Sequence, residues 1–340
     1  MPFPPIPIID ARGRDAAFVA AQLPAQVADI LETAGHSYSA TGLKLADLLS
    51  RRWLARNATP YRAEIDALAA SLRRPGGHML NVSYEWACTT GIGSCGTAAP
   101  VMLRVLDWAL EGLGRNLSVI RQTGPAGDWI NMGWPGFVGA ITALAPGRFA
   151  VAINQPPLMS SRFGPMMGRV WRRLRLICDW VAARPPVWKS RAIPPAHLLR
   201  QVLDEAKDFE EAVDRLAHTP ISAAAFFALS GTTLGQACVI ERLPNDYRIR
   251  REGSSVAVAN HWVAIPREGL AYVGDSEFRK AQMDRALATG TNPFSLEWLR
   301  APVLNERTRV VAVADASSGR LALQGWERTG AVTELLEATF

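Results

Sequence analysis

At 340 residues the chain can form one large domain or two ordinary ones, with a substantial buried core. Half apolar, one fifth charged and with a net charge of +6, it has an ordinary globular composition. It lacks the basic stripe with interleaved aromatics that tracks nucleic acid, so no nucleic-acid partner is expected. Cysteines 88, 95, 178 and 238 show no Cys-x-x-Cys spacing and no paired histidines nearby, which argues against structural zinc, and a disulfide framework does not suit so large a chain.

The opening stretch, MPFPPIPIIDARGR, has no basic and apolar leader pattern, so a cytoplasmic location is expected. Up to residue 87 the pattern is helical. AAFVAAQLPAQVADILETAG, ATGLKLADLLSRRWLARN and YRAEIDALAASLRR repeat apolar residues at three-to-four spacing, and Pro24 interrupts the first. From residue 78 the pattern turns strand-like in HMLNVSYEWACTT and PVMLRVLDW, around a glycine-rich turn. GFVGAITALAPGRFAVAIN reads as two apolar segments joined by a type II turn with Pro146 and Gly147 at its centre. Helical patterns fill 164–184 and 197–217. ISAAAFFALSGTTLGQACVI (221–240) is long enough to span a bilayer, but SGTTLG divides it into two strand-length halves and favours a buried hairpin. SSVAVANHWVAI and RTRVVAVADASSGRLALQGW again read as strands. Strand pairs joined by short turns, with helices grouped between them, predict antiparallel sheets covered by helical layers.

Cys88 sits in EWACTTGIGSCG, among small and polar neighbours that suit close backbone approach rather than apolar filling. From this composition alone it reads equally as a buried hydrophobe or a nucleophile. Arg104 follows it by sixteen residues and Asp107 by nineteen. On a hairpin partner strand they would flank the thiol, the guanidinium favouring the thiolate and the carboxylate orienting an amine. By itself Arg-x-x-Asp is more often a surface pair. A papain-like alternative would join Cys88 to His261 and Asn305.

Cys-Thr-Thr followed by LRVLDW resembles the nucleophile segment of the choloylglycine hydrolase superfamily of N-terminal nucleophile hydrolases. That family carries Cys-Thr-Ser and then Arg-x-x-Asp-(Trp/Tyr) at the same spacing, so Thr90 stands where serine is usual. GFVGAITALAPGRFAVAIN, DFEEAVDRLAHTPI, VAVANHW and VLNERTRVVAVADASSG are similar in order to the acid ceramidase and N-acylethanolamine acid amidase-like branch. This similarity puts Asn154 and Asn260 on family asparagines and Arg279 on a further functional arginine. Gln155 stands where glutamate is usual, and the motif around Asn260 is two residues short.

The resemblance implies an α+β fold, a four-layer αββα sandwich of two antiparallel sheets with a helical N-terminal segment. It also implies self-cleavage between Ala87 and Cys88, giving a small subunit of residues 1–87 and a catalytic large subunit of 88–340. Cys88 would then be both nucleophile and, through its new amine, general base, without cofactor or metal. Arg104 would favour the thiolate, Asp107 would hold the amine, and Asn260 with Asn154 would donate to the oxyanion. The implied activity is hydrolysis of a linear, lipid-like N-acyl amide. The alternatives are an acyltransferase of the same fold and a catalytically silent lipid or acyl-amide-binding protein. In GRVWRRLRLICDWVAARPPVWKSR, apolar Trp171, Leu174 and Ile177 oppose Arg169, Arg172 and Arg173. This segment, within 169–188, is a candidate for peripheral membrane contact, although packing on the sheet core accounts for the same pattern.

Overall fold

The computed structural model describes residues 2–82, 86–159, 185–267, 269–270 and 275–340. The strands are β1 (Ile8–Asp10), β2 (Ala87–Gly93), β3 (Val101–Asp107), β4 (Ser118–Gly124), β5 (Gly127–Gly133), β6 (Thr142–Ala145), β7 (Phe149–Asn154) and β8 (Leu158–Met159). There follow β9 (Ala225–Ser230), β10 (Ala237–Leu243), β11 (Asp246–Arg250), β12 (Ser255–Val258), β13 (Gly269–Leu270), β14 (Thr308–Asp315), β15 (Arg320–Glu327), β16 (Gly330–Ala331) and β17 (Leu336–Thr339). The helices are α1 (Ala16–Gln22), α2 (Pro24–Tyr38), α3 (Ala40–Leu54), α4 (Arg62–Leu72), α5 (Pro195–Glu205), α6 (Phe209–His218) and α7 (Ser276–Ala288).

Strands β1-β4-β5-β6-β7-β9-β10-β11 form an eight-stranded sheet, and a second sheet runs β12-β2-β3-β14-β15-β16 with β17 also on β15. The sheets pack face to face through β2 and β3 against β7 and β9. Alternation along the strands explains the layering. Cys88, Ile92, Met102 and Leu106 point into the core shared with the first sheet, while Val101, Leu103 and Val105 point outward onto Met283 and Leu287 of α7. Helices α5 and α6 cover the far side of the eight-stranded sheet. The order is helices, sheet, sheet, helix, the expected αββα sandwich.

Pro24 occupies the first turn of α2, where its missing N–H costs nothing, and α1 ends two residues earlier. At the β6–β7 connection Arg148 N donates to Ala145 O over 3.0 Å and Gly147 has φ +72°, the expected type II turn. The run 221–240 is the hairpin β9–β10, and no helix among the described residues is long and apolar enough to cross a membrane.

Some expectations are corrected. The N-terminal segment is not wholly helical, because β1 pairs in parallel with β4, so the first sheet is mixed rather than purely antiparallel. Residues 78–82 form turns, and the strand begins only at Ala87. The helical pattern 197–217 is two helices, since Asp208 caps α6 by accepting from Glu211 N at 2.9 Å. Strand β12 stops at Val258, leaving Asn260 and His261 in irregular chain. Trp171 and the arginines of 164–184 lie outside the described residues.

Candidate active site

The site grows from the β2–β3 ladder, where Thr90 pairs with Arg104, Cys88 with Leu106 and Ala87 with Asp107. Cys88, Thr90 and Arg104 therefore share the inner face of the sheet. Arg104 is fully buried, and its guanidinium donates from Nη2 to Cys88 Sγ at 2.9 Å and to Ile153 O at 2.8 Å. Its Nη1 donates to Thr90 Oγ1 at 2.8 Å and to Asn154 Oδ1. Thr90 Oγ1 in turn donates to Asn154 Oδ1 at 2.8 Å. The hydroxyl is what this position needs, so threonine serves where the family has serine.

On the outer face the glycines have a clear purpose. A Cβ on Gly91 would lie 2.5 Å from Met283 Cγ, so α7 can approach only because residue 91 has no side chain. Arg279 projects inward one turn earlier on α7 and is buried. It donates from Nη1 to Cys88 O at 3.0 Å and to Thr89 Oγ1 at 2.9 Å, and from Nη2 to Asn260 Oδ1 at 2.7 Å. That same Asn260 oxygen accepts from the Cys88 N–H at 3.0 Å. Asn260 Nδ2 donates to Gln155 O at 2.7 Å, and Asn260 N donates to Ser276 Oγ at 2.8 Å.

Burial dominates the electrostatics. Loss of solvent pushes the Cys88 thiol up to about 11, against the pull of Arg104 and Arg279. It also raises the Asp107 carboxyl above its usual range and lowers both guanidiniums. While the thiol keeps its proton, two buried cations face one carboxylate in this cluster. A thiolate or an oxyanion would supply the missing countercharge.

The structure thus brings Ala87, Cys88, Arg104, Asp107, Asn154, Asn260 and Arg279 together, but in roles that differ from several expectations. Asp107 does not flank the thiol. It lies three residues beyond Arg104, an odd interval that turns it to the opposite face. There it accepts from Thr308 Oγ1 at 3.0 Å and stands 3.6 Å from Arg279. The Cys88 nitrogen is held by Asn260, not by Asp107. Asn154 orients Arg104 and Thr90 through its oxygen and spends its amide hydrogens on Val258 O and Ala259 O, at 3.3 and 3.1 Å, so it is no free oxyanion donor here. Arg104 does reach the thiol, yet burial outweighs its pull and raises the thiol rather than lowering it.

His261 bonds Ser276 Oγ at 2.8 Å and Asn305 Nδ2 bonds Val303 O at 3.3 Å, so neither is arranged as in a papain-like triad. Cys95 packs in the outer core, as a bystander. No cluster of three or more His, Cys, Asp or Glu suited to a metal occurs among the described residues. Ser276 and Thr308 were not legible as site residues, although Ser276 opens a helix directly after an acidic residue.

Residues 186–310 match the family model described as acyl-coenzyme A:6-aminopenicillanic acid acyl-transferase. The chain is 27% identical over 282 residues to the N-acylethanolamine-hydrolyzing acid amidase of Oryctolagus cuniculus, covering 76% of this chain and 70% of that protein. It is 27% identical over 273 residues to the acid ceramidase of Balaenoptera acutorostrata scammoni, covering 74% of this chain but only 60% of that protein. In structure it is similar to the Caenorhabditis elegans N-acylethanolamine-hydrolyzing acid amidase ortholog, with TM-score 0.50 and 15% identity over 68% of this chain and 93% of that one. These likenesses agree with the resemblance read from the sequence, to the acid ceramidase and N-acylethanolamine acid amidase-like branch of the N-terminal nucleophile hydrolases. Strand β2 is fully enclosed: Cys88 has 0% exposure, and the preceding Trp86 packs against Trp108 at 5.3 Å between ring centres.

Proposed function

We propose that this protein is a self-processing cysteine amidase that hydrolyses a linear, lipid-like N-acyl amide through a thioester on Cys88. The observation that carries the reading is the pair of contacts on one residue, Arg104 Nη2 at 2.9 Å from Sγ and Asn260 Oδ1 at 3.0 Å from the backbone nitrogen. In the uncut chain the buried thiol offers an external amide no route, as a precursor requires. Attack of Sγ on the Ala87 carbonyl forms a C–S bond and breaks the C–N bond, the nitrogen taking the proton that sulfur loses. Water then hydrolyses the thioester and frees the Cys88 amine.

That amine titrates near 7.7–8.0 in model compounds, so roughly at neutral pH it can take the proton of its own thiol. It then returns the proton to the leaving amine, and no histidine is required. Asn260 Oδ1, steadied by Arg279, is already placed to accept from it. Gln155 O uses one hydrogen of Asn260 Nδ2, and the other can serve the oxyanion, a contribution of roughly 3–4 kcal/mol for one such donor. The acid amidase and ceramidase relatives support an acyl amide as substrate.

A denaturing gel tests this reading. The wild type should run as two fragments, broken before residue 88, and Cys88→Ala as one full-length band. A wild type that stays whole at acidic and neutral pH, like Cys88→Ala, would sink it and favour the silent binding protein. The match of 186–310 to an acyl-transferase model supports a second reading, in which an amine rather than water takes the acyl group. Adding an amine acceptor separates the two: a transferase gives the new amide in preference to the free acid.

A further inference from the structure

Glu241 stands on β10 in the apolar run ACVIERL and has no exposed surface. Its carboxylate accepts from three successive backbone N–H groups, those of Val263 (3.1 and 3.2 Å), Ala264 (3.1 and 3.0 Å) and Ile265 (3.1 Å). Arg250 Nη1 adds a bond of 3.2 Å, and its Nη2 donates to Ala257 O at 2.6 Å. A buried carboxylate is costly unless its lone pairs are met, and here backbone donors and one guanidinium meet them. Three adjacent N–H groups converge on one acid only where the chain leaves regular structure, and residues 259–267 contain neither helix nor strand. The side chains of Val263 and Ala264 are exposed, so their burial does not hold this turn.

The sheet register shows what the turn is held to. Asn154 pairs with Phe226, and Phe226 pairs with Glu241, so the three form one row across β7, β9 and β10. Each grips the segment that carries Asn260. Asn154 takes the carbonyls of Val258 and Ala259, Phe226 meets Trp262 edge to face at 4.7 Å, and Glu241 takes the N–H groups of 263–265. From this row we infer that Glu241 is a positioning residue for Asn260, fixing from the first sheet the amide oxygen that receives the Cys88 nitrogen. The inference rests on the self-processing amidase reading.

Glu241→Gln keeps the shape but replaces one acceptor oxygen by an NH2 group facing the N–H cluster. Fragment formation is followed from synthesis in cell-free translation, and turnover on a fluorogenic N-acyl amide. We expect cleavage to slow, and kcat to fall, by about tenfold to a hundredfold, the scale of a small misplacement, with KM unchanged. Glu241→Asp keeps the charge but ends one methylene short; it should show the same split more mildly and decides the matter if Glu241→Gln does not fold. A merely structural Glu241 would lower the melting temperature yet leave cleavage and kcat at wild-type values in the folded variant, and that result overturns the inference. A wild type that does not cleave would instead condemn the reading beneath it.

Discussion

Replacing Arg104 by methionine isolates what one guanidinium does for one sulfur. The side chain makes four bonds, to Cys88 Sγ, Ile153 O, Thr90 Oγ1 and Asn154 Oδ1. Three of these acceptors keep their charge throughout the reaction, so losing those bonds affects stability and geometry. Only the sulfur changes from neutral to charged. A hydrogen bond to a charged partner is worth about 1.5–3 kcal/mol, and taking about 2 kcal/mol as lost on ionisation raises the thiol pKa by about 1.5. At a fixed pH below both values the thiolate population then falls about thirtyfold. The assay is the rate of alkylation of Cys88 by iodoacetamide against pH in the cut protein, read by mass spectrometry on the new N-terminal peptide. The alkylation profile should move to higher pH in Arg104→Met, and kcat/KM should fall by the same factor. An unmoved profile would refute the assignment, since it would mean that the 2.9 Å contact does not stabilise the charged sulfur.

Gly91→Ala should force α7 away from β2, because the new Cβ meets Met283 Cγ at 2.5 Å. We expect a stability loss of about 1–3 kcal/mol in chemical denaturation, together with slower fragment formation as Arg279 withdraws. His78 bonds Asp66 at 2.8 Å and stands 3.5 Å from Asp47, and the Asp47 bond foremost raises its pKa above 6.5. A group whose folded pKa is raised stabilises fully below its unfolded value, so this contribution is complete below 6.5 and disappears as pH climbs through the raised value. His78→Gln should remove that segment of the stability-versus-pH curve in thermal melts. After cleavage, residues 1–87 should co-elute with 88–340 on size exclusion without denaturant, held by the β1–β4 ladder, by Tyr61 on Asp204 at 3.0 Å and by Glu64 on Arg200 at 2.7 Å.

Local physics made much of this legible. Hydrophobic period separated helices from strands, Pro146-Gly147 fixed a turn, and the interval from Cys88 to Arg104 matched one hairpin. The errors arose where distant partners decide. Ile8–Asp10 is too short for a periodic signal and becomes a strand only because β4 offers an edge. Asn260 lies in a sequence that alternates like a strand, yet Glu241 and Phe226 pull that chain off the ladder. Placing Asp107 beside the thiol, as a carboxylate orienting an amine, overlooks its odd spacing from Arg104, which turns it to the other face. Glu241 itself gave a faint signal, a single carboxylate within an apolar strand. Its significance depends on three N–H groups more than twenty residues away.

The position of the Ala87–Cys88 bond within β2 bears on how the mature site would be ordered. Only Ala87 of the first fragment belongs to that strand, so a break there removes one rung and leaves Cys88–Gly93 paired with β3. From Thr90 onward the strand is also bordered by β12. A chain terminus created in this way would have its translational and rotational freedom already surrendered during folding of the precursor. Its nitrogen would emerge against Asn260 and its sulfur against Arg104, so an amine released there would inherit a location that a free N-terminus would have to search for.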